Sequence, residues 1–254
     1  MKKGVVILGS LVLAFAFCIP AVAQPSTKAV ETIVIDNFDT PDEMDWTWGV
    51  RASRFVAEGY PIVKSFEGIP NSLRPYHKDS DPAAQVIGAK VAFDRKGDNW
   101  FEVYPQNSEG AEYEIPFVGT VTQVDFWVWG ANYKYYLELL VRDATGRVHV
   151  LQCGSLAFNG WKNIVVKIPG WMTQHSRLRS GPKNLSFLGF RIRTDAAEYV
   201  DDFTVYFDNL KYMSNSLSFI FDGYELKDQD FSSAETGTNA GKKPSNSSSS
   251  SEAK

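Results

Sequence analysis

The sequence predicts an all-β fold, a jelly-roll-like β-sandwich of antiparallel strands connected by long loops. Apolar and polar side chains alternate with a period of two along much of the chain, which is the pattern of strands that bury one face. Turn-forming residues separate these stretches, and helical periodicity is weak throughout, with short turns expected only around Asp42 and Trp171. Many short strands with turn signals between them and no long helix favour a sandwich.

The first residues predict a signal peptide that spans residues 1–23. Lys2 and Lys3 form a basic start, residues 4–19 are apolar but short for a membrane span, and residues 21–23 are small. We expect cleavage after Ala23 and an exported protein without a membrane anchor. A membrane helix is the alternative, and the length of the apolar run argues against it.

The remaining chain predicts one domain, residues 24–228, followed by a disordered serine-rich tail, residues 229–254. The tail has almost no apolar side chains, so it cannot offset the entropy lost on ordering. Removal of Cys18 with the signal peptide leaves Cys153 as a lone thiol, which we expect to be buried and unreactive. Stability must then come from a large core, for which a domain of this length suffices.

The individual strands follow from the alternation. Val124, Phe126 and Val128 face one side of a strand, and a turn at Gly146 leads into a strand through Val148 and Val150. Gly160 precedes another strand, which Pro169 ends. The other residues predicted to share a buried face are Tyr135, Leu137, Leu139 and Val141 in one strand, Ile164, Val166 and Ile168 in the next, then Leu188, Phe190 and Ile192, and finally Val205 and Phe207.

One short pattern occurs at both ends of the domain: residues 33–38 read IVIDNF and residues 205–210 read VYFDNL. In both, the apolar positions change parity at the Asp-Asn pair, which is what a β-bulge does, and Asp and Asn tolerate the unusual backbone of a bulge. We therefore expect the two segments to be adjacent strands that close the sandwich. A second interpretation is that Asp36 and Asp208 hold a calcium ion, although two carboxylates fall short of the oxygen ligands required.

The composition excludes several classes of function. The chain has 26 Lys and Arg against 30 Asp and Glu, so it has no electrostatic reason to bind nucleic acid. Its three histidines lie far apart, and neither a nucleophile elbow nor a phosphate-binding glycine loop is present. A pair of acidic residues of the glycosidase type stays open, but no pair is favoured. We predict no catalytic residues, no metal and no cofactor.

Two charged stretches each allow two interpretations. Residues 195–202 read DAAEYVDD and contain four acidic side chains, which fit a solvated turn better than a metal loop. Residues 175–183 read HSRLRSGPK and fit a solvated basic loop better than a docking site for an acidic partner.

Aromatic residues give the strongest indication of a binding surface. On the side of the strands opposite the predicted core, Trp127, Trp129 and Tyr136 lie with Asp125 and Glu138, and Tyr133 lies in the loop beside them. This face is either covered by another part of the fold or exposed for contact. An exposed aromatic face binds proteins or stacks on sugar rings. We predict that Trp127, Trp129, Tyr133 and Tyr136 bind a partner.

Three stretches carry a resemblance to a known family: VIGAKVAFDRKGDNWFEVYP (residues 86–105), FWVWGANYKYYLELLVRDATGRVHVLQCGSLAFNGWKNI (126–164) and GFRIRTDAAEYVDDFTVYFDNLKYM (189–213). They resemble the spirochaete flagellar filament outer-layer, or sheath, proteins of the FlaA family, and the resemblance covers most of residues 33–213. The run WVWG-x-N-Y-x-Y-Y-L-E and the GWKN that follows are its most specific part. The serine-rich tail has no counterpart in this resemblance.

The resemblance implies a periplasmic structural protein, not an enzyme. It would coat a core of flagellin subunits, contact other sheath proteins and neighbouring copies of itself, and contribute to filament shape, stiffness and cell motility. The chain lacks the long terminal heptad helices of a flagellin, so it is not the core subunit. The alternative is a periplasmic carbohydrate-binding module, which Trp127, Trp129 and the jelly-roll-like pattern would also fit. Architecture alone does not decide between the two.

Overall fold

The computed structural model describes residues 30–176 and 184–215, which form a sandwich of two antiparallel sheets. Its strands are β1 (Glu31–Asp36), β2 (Thr47–Ala52), β3 (Ile62–Glu67), β4 (Gln85–Val91), β5 (Trp100–Gln106), β6 (Ile115–Pro116), β7 (Thr120–Ala131), β8 (Tyr135–Arg142), β9 (Val148–Ser155), β10 (Asn159–Lys167), β11 (Ser186–Thr194) and β12 (Phe203–Asn215). The predicted all-β class is confirmed. The predicted signal peptide and serine-rich tail lie outside the described residues.

Helices in these two described segments are limited to single 3-10 turns at Pro41–Glu43 and Arg74–Tyr76. The first coincides with the short turn predicted around Asp42. Within the same segments, no helix is long and apolar enough to cross a membrane.

The first sheet has the strand order β10-β7-β12-β4-β3, and β1 pairs with the end of β12 that extends past β4. The second sheet has the order β2-β5-β11-β8-β9, with β6 paired to β11. Consecutive strands β7 and β8 lie in different sheets, so the chain crosses the sandwich between them. Side chains that point away from the core therefore lie on opposite surfaces of the sandwich in β7 and in β8.

The two ends of the domain close the first sheet, as the repeated Asp-Asn pattern predicts. β1 runs antiparallel to β12, with Ile33 opposite Tyr212 and Asp36 opposite Leu210. The pairing register of β1 shifts between Val34 and Asp36, and that of β12 with β7 shifts between Asp208 and Lys211. The left-handed backbone at Asn209, with φ of 49°, accompanies the second shift. The predicted bulges and the adjacency of the two segments are confirmed.

The core lies between the sheets and is rich in aromatic rings. Phe190 of the second sheet stacks on Phe207 of the first, with ring centroids 4.4 Å apart, and Phe126 packs against both. The predicted inward faces of β7 and β8 are fully buried, from Val124 to Val128 and from Tyr135 to Val141 on alternate residues. Each buried side chain of this size contributes about 1.5–3 kcal/mol of apolar burial. This burial stabilises the fold, in which Cys153, the one cysteine among the described residues, is a free thiol.

One predicted inward residue is wrong. The alternation assigns Leu188 to the buried face of β11, but the register with β8 shifts between Phe187 and Gly189. Because of the extra residue in this bulge, Leu188 points away from the core and is half-buried. Phe187 takes the inward position and is 0% exposed. Phe190 and Ile192 face inward as predicted.

Cys153 is a free, half-buried thiol on β9 that packs against the core. Burial raises the pKa of its thiol to about 12. Because the thiolate is the reactive form, this environment agrees with the expectation of an unreactive cysteine.

Candidate partner-binding surface

The aromatic residues predicted to share one face are divided between the two sheets. Trp127 and Trp129 lie on β7 and point outward from the first sheet, whereas Tyr136 lies on β8 and points outward from the second. The expectation of one continuous face is wrong, because the chain crosses the sandwich in the loop that contains Asn132. The left-handed backbone of that residue, with φ of 62°, helps to make the crossing.

Trp129 belongs to a row of aromatic rings that runs across the outer face of the first sheet. In the strand pairing, Trp129 lies opposite Trp161 of β10 on one side and opposite Tyr206 of β12 on the other. The rings of Trp129 and Tyr206 meet edge to face at 5.5 Å, and those of Tyr206 and Phe66 at 5.7 Å. We call these four side chains, Trp161, Trp129, Tyr206 and Phe66, the aromatic strip.

A glycine makes room for the last two rings of the aromatic strip. Gly88 of β4 lies between Tyr206 and Lys64 in the strand pairing. A Cβ atom at Gly88 would be 2.7 Å from Cε1 of Tyr206 and 2.8 Å from Cε2 of Phe66. The rings therefore lie over the glycine backbone, and a side chain at this position would push them away.

The aromatic strip borders two open depressions. One, of about 390 Å³, is lined by Trp129, Trp161 and Tyr206 together with Arg74 and Glu67. The other, of about 360 Å³, lies on the opposite side of Phe66 and Tyr206, next to Lys64 and Lys90. Phe66 is 45% exposed and the other three rings are half-buried. The strip is thus an apolar surface with charged residues at its border, as in many protein interfaces.

The other three predicted residues are in different surroundings. Trp127 is half-buried beside the strip and lies opposite Asn163 and Asp208. Tyr133 packs edge to face on Tyr135 and Phe203, and its hydroxyl donates to the carbonyl of Asp201 at 3.0 Å. These contacts place Tyr133 at the margin of the core.

Tyr136, on the second sheet, is 36% exposed, and its hydroxyl donates to Oδ2 of Asp195 at 3.1 Å. Asp195 also pairs with Lys134 at 3.0 Å and accepts the backbone N–H of Ala197. These bonds hold the acidic stretch 195–202 as an ordered turn. Residues 177–183, the larger part of the basic stretch, lie outside the described residues.

Sequence reasoning missed Trp161, Tyr206 and Phe66. The alternation held the signal for Tyr206, because Val205 and Phe207 face the core and the residue between them must face outward. Trp161 and Phe66 lie in strands far from Trp129 in the chain, and only the strand order of the sheet brings them beside it.

Asp36 and Asp208 are the residues of the calcium interpretation, and their surroundings are as follows. Asp36 accepts Nε1–H of Trp48 at 2.8 Å and the backbone N–H of Phe38 at 2.6 Å, so both of its oxygens already have partners. Burial raises the pKa of Asp208 to about 7, with the carboxylates of Asp39 and Asp36 adding to the effect. Among the residues that the structure describes, no group of three or more His, Cys, Asp or Glu side chains is placed to hold a metal ion.

Comparison with known proteins assigns this chain to a family. The profile of the family described as "Flagellar filament outer layer protein Flaa" matches residues 29–222. A putative flagellar filament outer layer-like protein of Brachyspira hyodysenteriae is 29% identical over 188 residues, which cover 72% of this chain and 79% of that protein. A flagellar filament outer layer protein of Treponema pallidum is 29% identical over 102 residues, or 37% of this chain and 29% of that protein.

Solved structures with a similar arrangement are more distant. A carbohydrate-binding module of the β-sandwich superfamily overlaps 70% of this chain and 61% of its own, with a TM-score of 0.45 and 13% identity. The family 11 carbohydrate-binding module of a Clostridium thermocellum cellulase overlaps 72% of this chain and 95% of its own, with a TM-score of 0.40 and 11% identity. No function follows from likenesses at this level. The sequence matches are decisive, and by the match over residues 29–222 the chain belongs to the flagellar filament outer layer protein FlaA family.

Proposed function

We propose that this protein is a non-enzymatic structural subunit of the sheath of periplasmic flagellar filaments. It is exported to the periplasm, coats a core of flagellin subunits and contributes to the shape and stiffness of the filament and so to motility. Membership of the outer layer family and the names of the Brachyspira and Treponema relatives support this role.

The aromatic strip is the observation that carries the proposal. A coat subunit must bind its neighbours strongly through a limited area, and large aromatic side chains are the residues that most often supply such binding energy. An aromatic ring also loses little conformational entropy on binding, since it has only two side-chain torsions. The four rings of the strip come from four strands of one sheet, which holds them in fixed relative positions.

A subunit in a coat makes contacts in more than one direction, inward to the flagellin core and sideways to other sheath subunits, which include copies of itself. The outer faces of the two sheets lie on opposite sides of the sandwich, so the subunit has two separate surfaces for contacts. We assign the aromatic strip, the more apolar of the two surfaces, to the contact with the flagellin core.

The experiment that tests the proposal is the isolation of periplasmic filaments from cells with and without the gene. We expect the protein to co-purify with filaments, and we expect filaments from the deletion strain to be thinner and the cells to swim abnormally. A protein that is abundant in the soluble periplasmic fraction but absent from washed filaments would contradict the proposal. Restoration of both properties by the complemented gene is the control.

A further inference from the structure

The outer face of the second sheet carries a row of charged and polar side chains that crosses all five of its main strands. The strand pairing places Arg51 opposite Glu102, Glu102 opposite Arg191, and Arg191 opposite Glu138, which in turn lies opposite Gln152. We call these five residues the polar row. With strands about 4.8 Å apart, the row is about 19 Å long.

The side chains of the polar row hold one another in place. Glu102 is 1% exposed and accepts Nε–H of Arg51 at 2.5 Å and Nε–H of Arg191 at 2.7 Å. Glu138 is 3% exposed and accepts Nε2–H of Gln152 at 2.8 Å. Arg193, from the adjacent row, lies 3.8 Å from Glu138 and 2.8 Å from Asp98. The two buried carboxylates thus orient the guanidinium and amide groups, which a ligand would meet together with the exposed carboxylate of Asp98.

Aromatic rings flank the polar row. Arg193 lies between Trp100 of β5 and Tyr136 of β8 in the strand pairing, so both rings stand beside the row. The guanidinium of Arg191 lies 5.6 Å from the ring of Trp100. Here the surface forms an open depression of about 370 Å³, lined by Trp100, Glu138, Gln152 and the two arginines with Asp98 and Val150.

The charges of this surface nearly cancel. Three arginines, Arg51, Arg191 and Arg193, are paired with four carboxylates, those of Glu102, Glu112, Glu138 and Asp98. The surface therefore has no excess of positive charge to attract an anionic ligand, and its carboxylates already have cationic partners. A ligand with neighbouring hydroxyl groups would match the surface, since a hydroxyl can donate to the exposed carboxylate of Asp98 and accept from guanidinium and amide N–H groups. The C–H face of a sugar ring would pack on Trp100.

We propose that the polar row and Trp100 form a binding site for a neutral oligosaccharide. The length of the row fits a chain of several sugars better than a single ring. This site is separate from the aromatic strip, and the inference holds for the isolated protein whatever its place in a filament. Its test uses no filaments, so its failure is distinguishable from failure of the proposed sheath function.

The test is isothermal titration of the purified full chain with neutral hexasaccharides of glucose, mannose, xylose and N-acetylglucosamine, with hexagalacturonate and a heparin hexasaccharide as charged comparators. We expect at least one neutral chain to bind with an affinity tighter than millimolar. Trp100→Ala and Gln152→Ala should each weaken that binding by about tenfold or more. Trp171→Ala, at an exposed indole outside both surfaces, should leave it unchanged, and Trp129→Ala tests whether the sugar instead binds the first sheet.

The inference is overturned if no neutral chain binds, if only charged chains bind, or if binding survives Trp100→Ala and Gln152→Ala. Thermal melting by circular dichroism establishes that each variant is folded. If Trp100→Ala does not fold, Trp100→Phe and Gln152→Ala decide the question, since Phe keeps the ring with a smaller stacking area. Loss of binding in Trp129→Ala would place the sugar on the first sheet and also refute the inference.

Discussion

The indole ring of Trp129 packs edge to face on the phenol ring of Tyr206, with the ring centroids 5.5 Å apart. The two residues come from neighbouring strands of the first sheet and form the middle of the aromatic strip. Both rings are half-buried and neither belongs to the core between the sheets. This placement favours a binding role over a role in core stability. The two roles predict different results when the rings are truncated.

The double variant Trp129→Ala with Tyr206→Ala should remain folded and bind filaments more weakly. If the rings are interface anchors, truncation of each one should weaken association by about 2 kcal/mol or more. If the rings instead act as core residues, the variant should lose roughly 3–5 kcal/mol of folding stability per ring. Thermal melting by circular dichroism and co-sedimentation with isolated filaments separate the outcomes. Trp171→Ala, at an indole that is 69% exposed elsewhere on the surface, is the matched control.

Gly88→Ala should disturb the aromatic strip without removing any of its rings. The added methyl group would require Tyr206 and Phe66 to move, because it would lie within 3 Å of both rings. We expect a small change in melting temperature, since both rings lie on the outer face of the sheet and outside the core, together with weaker co-sedimentation. Gly170→Ala, at a glycine with open space around it and no positive φ, is the comparison for a general effect of glycine replacement. Co-sedimentation equal to that of the unchanged protein would argue against a role for the geometry of the strip.

Asp208→Asn should change how stability depends on pH. Burial, with the carboxylates of Asp39 and Asp36, raises the pKa of Asp208 to about 7 in the folded protein. In the unfolded chain the pKa of an Asp is about 3.9. At pH values between these two, the folded protein therefore binds a proton that the unfolded chain does not. The free energy of unfolding therefore falls as the pH rises through this window.

Asparagine at position 208 removes that fall, so it should stabilise the protein at pH 8 by up to about 4 kcal/mol and have little effect at pH 4. Urea unfolding at pH 4, 6 and 8 measures the difference. Burial also raises the pKa of Asp36, so the variant should keep part of the slope. Asp201→Asn, at an exposed carboxylate, controls for the loss of one negative charge. An identical pH dependence in Asp208→Asn and the unchanged protein would refute the assignment.

Cys153 should react slowly with iodoacetamide in the folded protein at pH 8 and rapidly in urea. Its pKa of about 12 leaves almost no thiolate at pH 8, and the thiolate is the form that reacts. Mass spectrometry of the peptide that contains Cys153 follows the labelling. Rapid labelling under native conditions would show that the thiol is more exposed and more acidic than its surroundings indicate.

The sequence was sufficient to predict the features that depend on local periodicity. The alternation around Phe126 and Leu139 identified the inward residues of β7 and β8, because a strand that buries one face must alternate. The parity change at Asp36 and Asp208 identified the bulges, and the repetition of the pattern indicated that the two strands are neighbours. These inferences need no knowledge of the strand order.

The features that were mistaken or missed depend on contacts between distant parts of the chain. The alternation gives the side of the strand on which Trp129 and Tyr136 lie, but it does not say that β7 and β8 join different sheets. For the same reason it could not reveal that Trp161 and Tyr206 flank Trp129, or that Glu138 joins a charged row with Glu102. The bulge at Leu188 was missed because Leu188 is apolar and in phase with Phe190 and Ile192, so the alternation assigns it to the core in place of Phe187.

A density map of intact periplasmic filaments, at a resolution that shows β-sandwiches, tests the sheath assignment most directly. We predict that the sandwich of residues 30–215 fits density in the outer layer, with the aromatic strip against the flagellin core and the strip covered by the contact. If every density in the outer layer fits other proteins and none fits this sandwich, the protein is not a subunit of the sheath.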